Sequence, residues 1–111
     1  MSFELIFDDV ILEQLKKLGK NAAMRDRLSA MLDKIEELGP NAGRLIDSKL
    51  SIYEIKSKRP PIRLYFKHSK DSDKISVFEY ELKTSGDKQK KTISKIKKKV
   101  RGLFRNLNLF V

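Results

Sequence analysis

Residues 50–82 read LSIYEIKSKRPPIRLYFKHSKDSDKISVFEYEL, and this stretch decides the fold. It holds three runs, Leu50–Lys56, Ile62–His68 and Lys74–Leu82, rich in the β-branched and aromatic residues that fit a pleated surface. The middle run alternates, with Ile62, Leu64 and Phe66 on one face and Arg63, Tyr65 and Lys67 on the other. That is the period-two pattern of a half-buried strand. Pro60-Pro61 separates the first two runs and Ser69–Asp73 the last two. Separators so short and polar join antiparallel neighbours.

Working outward, residues 2–7 (Ser-Phe-Glu-Leu-Ile-Phe) read as a short first strand, with Phe3, Leu5 and Phe7 sharing a face. Asp8 and Asp9 suit the N-cap and first turn of a helix. Ile11, Leu15 and Leu18 then recur at helical spacing up to Gly19. Asn21 caps a second helix whose stripe is Met24, Leu28, Met31, Leu32, Ile35 and Leu38, and Gly39-Pro40 stops it. The two helices form a hairpin with one apolar seam, in which Met24 and Met31 are core residues. Residues 40–49 read as a polar connection. Ser85-Gly86-Asp87 opens a third helix with an apolar edge of Ile93, Ile96 and Val100. Lysines fill most of the rest, at Lys88, Lys90, Lys91, Lys95, Lys97, Lys98 and Lys99. Residues 102–111 form an apolar tail that either packs back on the domain or needs a partner.

The expected order is β-α-α-β-β-β-α in one α+β domain over residues 1–111. An antiparallel sheet covered on one face by the helical hairpin buries these stripes economically. The other sheet face is expected to be concave and partly open, carrying Arg63, Tyr65 and Lys67.

Composition narrows the function classes. With no cysteine in the chain, disulfides, thiolate metal sites and a cysteine nucleophile are ruled out. One histidine, His68, makes a transition-metal site a poor reading, and it is read as a strand-edge residue. Asp71 and Asp73 read as turn residues. No run of 18 apolar residues is present and the start carries early acids, so neither a membrane span nor a signal peptide is expected. A cytoplasmic location is the expectation. The net charge of +10 is unevenly placed: residues 1–46 sum to −1, residues 47–101 to +10, and residues 102–111 to +1. Such a concentrated positive field attracts polyanions.

The segment Tyr53-Glu54-Ile55-Lys56, then six residues, then Arg63-Leu64-Tyr65 carries most of the chemical information. On adjacent antiparallel strands Lys56 and Arg63 share a face, where two cations can hold a phosphate and offset the added charge of a pentavalent transition state. The pattern resembles the tyrosine–acid-or-base–aliphatic–base motif of RelE/HigB-type toxins, followed by the arginine of the next strand. The element order is similar to that family over about residues 3–100. Ile75–Leu82 followed by Lys83 resembles its last strand and the base after it. The phage-derived HigB-like branch has glutamate where Glu54 stands and a lysine pair near Lys83; here Thr84 follows instead.

The resemblance implies the toxin of a toxin–antitoxin pair, a metal-independent endoribonuclease that cleaves mRNA, usually on the ribosome but in some members free of it, and needs no cofactor. It implies catalytic roles for Lys56, Arg63 and Lys83, with Glu54, Tyr65 or Tyr80 left open as the proton-transfer group. Some members carry a tyrosine or histidine near the C-terminus, and this chain has neither after Tyr80. Lys58, Arg59, Lys67, Lys88, Lys90 and Lys91 are expected to bind RNA. The implied partners are mRNA, the ribosome and a cognate antitoxin, as a homo-oligomer or a heterotetramer with that antitoxin; a membrane is not among them. Two alternatives stand beside this reading: a ParE-type toxin that inhibits DNA gyrase without nuclease activity, and a generic basic nucleic-acid-binding module.

Overall fold

The structure, a computed structural model, describes residues 2–109, with side chains through residue 102. Five strands and three helices follow in the order β1 (Glu4–Phe7), α1 (Asp9–Lys17), α2 (Ala22–Leu38), β2 (Arg44–Asp47), β3 (Ile52–Lys58), β4 (Pro61–His68), β5 (Lys74–Leu82) and α3 (Gly86–Leu109). A short 3₁₀ turn, Gly39–Ala42, links α2 to β2. The fold is the α+β type expected, with two departures in the sheet.

The strands lie in the order β1-β5-β4-β3-β2. The β3–β4 and β4–β5 pairs are antiparallel, with Lys56 opposite Arg63 and Arg63 opposite Glu81. The first departure is that β1 runs parallel to β5, so the sheet is mixed. The helical hairpin carries the chain from β1 to β2 at the opposite edge, and the antiparallel run β2-β3-β4-β5 then brings β5 back beside β1 in the parallel sense. The second departure is β2, inside the segment read as a polar connection. It is four residues long, sits at the sheet edge and is largely exposed, so little hydrophobic periodicity marks it. Gly43, just before it, is fixed by a close approach. A Cβ there would stand 2.4 Å from the Glu54 carbonyl oxygen of β3.

The caps read from sequence are in place. The Asp8 carboxylate accepts the Val10 N–H at 3.0 Å, and Asn21 accepts the Met24 N–H at 3.2 Å. Gly39 ends α2 with φ +58°, a left-handed backbone that favours glycine. Gln14 of α1 has a role no pattern signalled. Its side-chain amide donates to the Tyr80 carbonyl at 2.8 Å and accepts from the Tyr80 N–H at 2.9 Å. Because β1 is short, β5 extends beyond it, and Gln14 pairs that exposed stretch of backbone as a missing strand would.

Two apolar clusters form, one on each sheet face. On the hairpin side Ile11, Met24, Leu28, Met31 and Ile35 pack on Ile55, Ile62, Leu64, Phe66, Ile75 and Val77. On the other side Ile96 and Val100 of α3 pack on Ile52, Tyr65 and Phe78, joined by Ile46, Leu50 and Ile93. The second face is therefore not open as expected: α3 lies across it. The stripe Ile93-Ile96-Val100 had to be buried somewhere, and this face supplies matching apolar residues. A register shift in the β4–β5 pair helps, because it leaves Phe78 as the extra residue that turns into this cluster. The backbone of α3 runs on through Leu109, so residues 102–109 are helical rather than a loose tail. Where the side chains of residues 103–111 pack lies outside the described residues.

Candidate functional site at the sheet end

Register builds the site. On the α3 side of the sheet, Arg44, Glu54, Tyr65 and Glu79 stand opposite one another on β2, β3, β4 and β5. One step along, Lys56, Arg63 and Glu81 stand opposite one another. A further step brings Lys58 opposite Pro61, and the Lys83 N–H donates to the Pro61 carbonyl at 2.9 Å. Lys56, Lys58, Arg63 and Lys83 are thus gathered at one end of the sheet, next to the first turn of α3. Arg59 sits in the turn beside them and is exposed.

Glu54, Tyr65 and Glu79 of the first rung are buried beneath α3 and tied by polar contacts, while Arg44 at the sheet edge is exposed. Glu54, fully buried, accepts from Arg44 at 3.0 Å and from the Gln89 amide of α3 at 2.9 Å. Lys56 lies 3.9 Å from the same carboxylate, at the outer limit of an ion pair. The Tyr65 hydroxyl donates to Glu81 at 2.5 Å, and Thr92 of α3 donates to the other Glu81 oxygen at 2.6 Å. Glu79 pairs with Lys95 at 3.0 Å. The acids of β5 therefore do not project into the cation cluster. Their charge is engaged under the helix.

Burial, helped by the hydrogen bond to Glu81 and the charges of Glu81 and Glu54, pushes the Tyr65 phenol well above its ordinary value. Tyr65 stays protonated at neutral pH and spends its proton on holding Glu81. Neither Tyr65 nor Glu54 has an open path to a ligand while α3 is in place. Tyr80 is half-buried and likewise raised, by burial.

Arg63 is the exception in this network. Both oxygens of the opposite carboxylate, Glu81, are already taken. Among the described residues Arg63 has no ion-pair partner, and its Nε is buried without a hydrogen-bond acceptor. Lys58, Arg59 and Lys83 also have no ion pair among the described residues. A partly exposed arginine with an unmet donor, beside lysines without ion pairs, is an arrangement able to take up an anion.

Other sequence-selected cations lie elsewhere. Lys67 stands four residues from Arg63 along β4, about 13 Å away, and donates to the Leu50 carbonyl at 2.7 Å. Burial lowers its pKa, aided by nearby Lys70. Lys88 sits at the start of α3, near the cluster. Lys90 and Lys91 are on the outer surface of α3, where with Ser94, Lys95 and Lys98 they line a shallow depression of about 440 Å³. No local pattern marks the contacts of Arg44, Gln89, Thr92 and Lys95, which meet their partners only through long-range packing.

The lysines of α3 divide by face. Lys95, Lys97 and Lys99 pair inward with Glu79, Asp47 and Asp8. Asp47 also accepts the Leu50 N–H at 2.9 Å. That bond holds its carboxyl below the usual carboxylate range, with burial opposing and Lys97 adding to the effect. A depressed folded value contributes stability above the ordinary carboxylate value of about 3.9 and loses it as pH falls through the lower folded one. Asp47→Asn is therefore expected to be less stable than wild type at about pH 7, the gap narrowing as the pH is lowered through the depressed folded value; urea midpoints across an acid pH series measure it.

This arrangement is a small three-layer α+β fold with a cation cluster at one end of its sheet. Solved structures of the RelE toxin share this fold. The isolated E. coli RelE toxin aligns with a TM-score of 0.61 at 21% identity, over 86% of this chain and 99% of that one. A double-mutant E. coli RelE in the free state gives a TM-score of 0.64 at 21% identity over the same shares. RelE in the intact E. coli RelBE toxin–antitoxin complex gives 0.60 at 21% identity, covering 76% of this chain and 100% of that one. No family model and no curated protein matches the sequence. At this identity the likeness establishes the RelE fold. Among the described residues no helix is long and apolar enough to cross a membrane.

Proposed function

We infer that the protein is the toxin of a toxin–antitoxin pair and acts as an endoribonuclease on mRNA at the ribosome. The observation that carries this reading is the unpaired Arg63 guanidinium beside Lys56 on the sheet end, with Lys58 and Lys83 on the next rung. The fold shared with E. coli RelE supports it, as does the excess of positive charge in residues 47–101.

The chemistry that fits is attack by an RNA 2′-oxygen on the adjacent phosphorus. The P–O2′ bond forms, the P–O5′ bond breaks, and the products are a 2′,3′-cyclic phosphate and a 5′-hydroxyl. The nucleophile belongs to the substrate, so the protein need only orient, neutralise and move protons. Arg63 offers a planar fork to the non-bridging oxygens. Lys56 of β3 and Lys83, just after β5, are the groups that exchange protons with the 2′-hydroxyl and the departing 5′-oxygen in this reading. Tyr65 and Glu54 hold the frame and do not touch RNA. Lys58, Arg59 and Lys88 extend the phosphate-binding surface.

The test is induced expression in a bacterium of the wild type and of the Lys56→Ala/Arg63→Ala variant, with mRNA 5′ ends mapped in each. New in-frame cuts with wild type alone are expected. Growth arrest without cuts would replace this reading with a gyrase-type toxin, and no effect with a purely binding member of the fold.

A further inference from the structure

The edge strand β1 carries a feature unrelated to the cation cluster. Glu4 N–H donates to the Asp73 carbonyl at 2.7 Å and Asp8 N–H to the Val77 carbonyl at 2.9 Å. In a parallel ladder the even residues of β1 therefore face β5. The N–H and C=O groups of Leu5 and Phe7 point out of the sheet. Beside that free edge lies an apolar groove of about 430 Å³ formed by Leu5, Phe7, Leu15, Leu18, Leu28 and Leu32. Phe7 remains 36% exposed in it.

The rim of the groove is polarised. The Phe3 N–H donates to the Glu36 carbonyl at 2.8 Å, which pins the C-terminal part of α2 to the start of β1. Asp33 and Glu36 thus line the groove at that end. Arg25 lies about 16 Å back along the helix axis, sharing the groove with Leu15 and Leu18, which follow the end of β1. All three charged residues are exposed, and none has an ion pair among the described residues.

We propose that this edge is a docking site for an extended segment of a partner protein, added to the sheet as a sixth strand beside β1. Its backbone pairs with Leu5 and Phe7. Two apolar side chains at i and i+2 enter the groove. On the same face it carries a cation at the Glu36 end and an anion at the Arg25 end. A second copy of this chain fits poorly. The matching face of its own β1 is Phe3, Leu5 and Phe7, followed by Asp9, with no cation for Asp33 and Glu36. Two chains of net charge +10 also repel.

The probes are two seven-residue peptides with blocked ends, Lys-Thr-Leu-Thr-Val-Thr-Glu for a parallel strand and its reverse for an antiparallel one. They are titrated into the ¹⁵N-labelled full chain. Saturable binding by one of them is expected, with the Leu5 and Phe7 amides slowed in hydrogen exchange by about tenfold or more. Arg25→Glu should weaken that peptide about threefold, as a rim ion pair does, and replacing the peptide's Glu by Lys should restore it. The Lys56→Ala/Arg63→Ala variant should bind it as wild type does, which keeps this site's outcome separate from that of the nuclease reading. The proposal is overturned if neither peptide saturates, if shifts fall on the α3 lysines without protection of Leu5 and Phe7, or if those two amides are already protected in a concentration-dependent dimer.

Discussion

Arg63→Ala is expected to lower RNA cleavage by about 10²–10³-fold, the usual loss when a preorganised charge stabiliser is removed, while the protein keeps its melting temperature. The two halves of this result have the same origin. Arg63 has no ion pair among the described residues, and its Nε lacks an acceptor. Removing it breaks no ion pair or side-chain hydrogen bond among the described residues, so the stability change should stay within about 0.5 kcal/mol. The cost appears only when a phosphate is present to use the guanidinium. Arg63→Lys should recover part of the rate and not all of it, because an ammonium restores the charge without the bidentate fork. The measurement is single-turnover cleavage of ribosome-bound mRNA at saturating protein, with thermal melts alongside. A full rate for Arg63→Ala would mean that the anion site lies elsewhere, and the outer surface of α3, with Lys90, Lys91 and Lys98, would be the next place to look.

The same residues show what the sequence could and could not reveal. The pairing of Lys56 with Arg63 was legible because the strands flank a short Pro-containing turn and the middle run alternates cleanly. Once register is set, faces follow. The hairpin was legible because Met24, Leu28, Met31 and Ile35 repeat at helical spacing and every one of them is buried. The placement of α3 was not. Its lysine content suggests a solvated helix, yet Lys95, Lys97 and Lys99 reach inward to acids on β5, at the end of β2 and just after β1. Lys99 and Asp8 are 91 residues apart in the chain. No local pattern encodes such a pair. That is also why Tyr65, expected on an open face, and Glu54, a candidate proton-transfer group, are buried. The motif puts them on the correct side of the sheet, and a helix from the far end of the sequence then covers them. Of the five residues carried over as catalytic, the exposed or half-exposed Lys56, Arg63 and Lys83 are placed to meet a ligand. The two buried ones, Glu54 and Tyr65, are engaged with Arg44, Gln89 and Glu81 instead.

Ile62→Asp, one residue from Arg63, is expected to have the opposite outcome and abolish the fold. Ile62 is completely buried in the hairpin-side cluster, opposite Ser57 and Leu82 on the neighbouring strands. Losing its side chain forfeits about 1.5–3 kcal/mol of apolar burial. The carboxylate that replaces it must also be desolvated among Ile55, Leu64 and their neighbours, either ionised without a partner or neutral at the cost of a large pKa shift. Together these terms reach several kcal/mol, comparable to the roughly 5–15 kcal/mol that holds a domain of this size together. Circular dichroism in the absence of denaturant should show loss of cooperative structure. Leu82→Asp is the control, since Leu82 is 43% exposed across the same rung, and it should stay folded with a modest shift of the urea midpoint. A folded Ile62→Asp variant would mean that β4 is slipped by one residue. The slip would send Arg63 into the core and the cation cluster would not exist. The stability experiment on Ile62 is thus also a test of the site, because the two residues can keep their proposed roles only if they stand on opposite faces of the same strand.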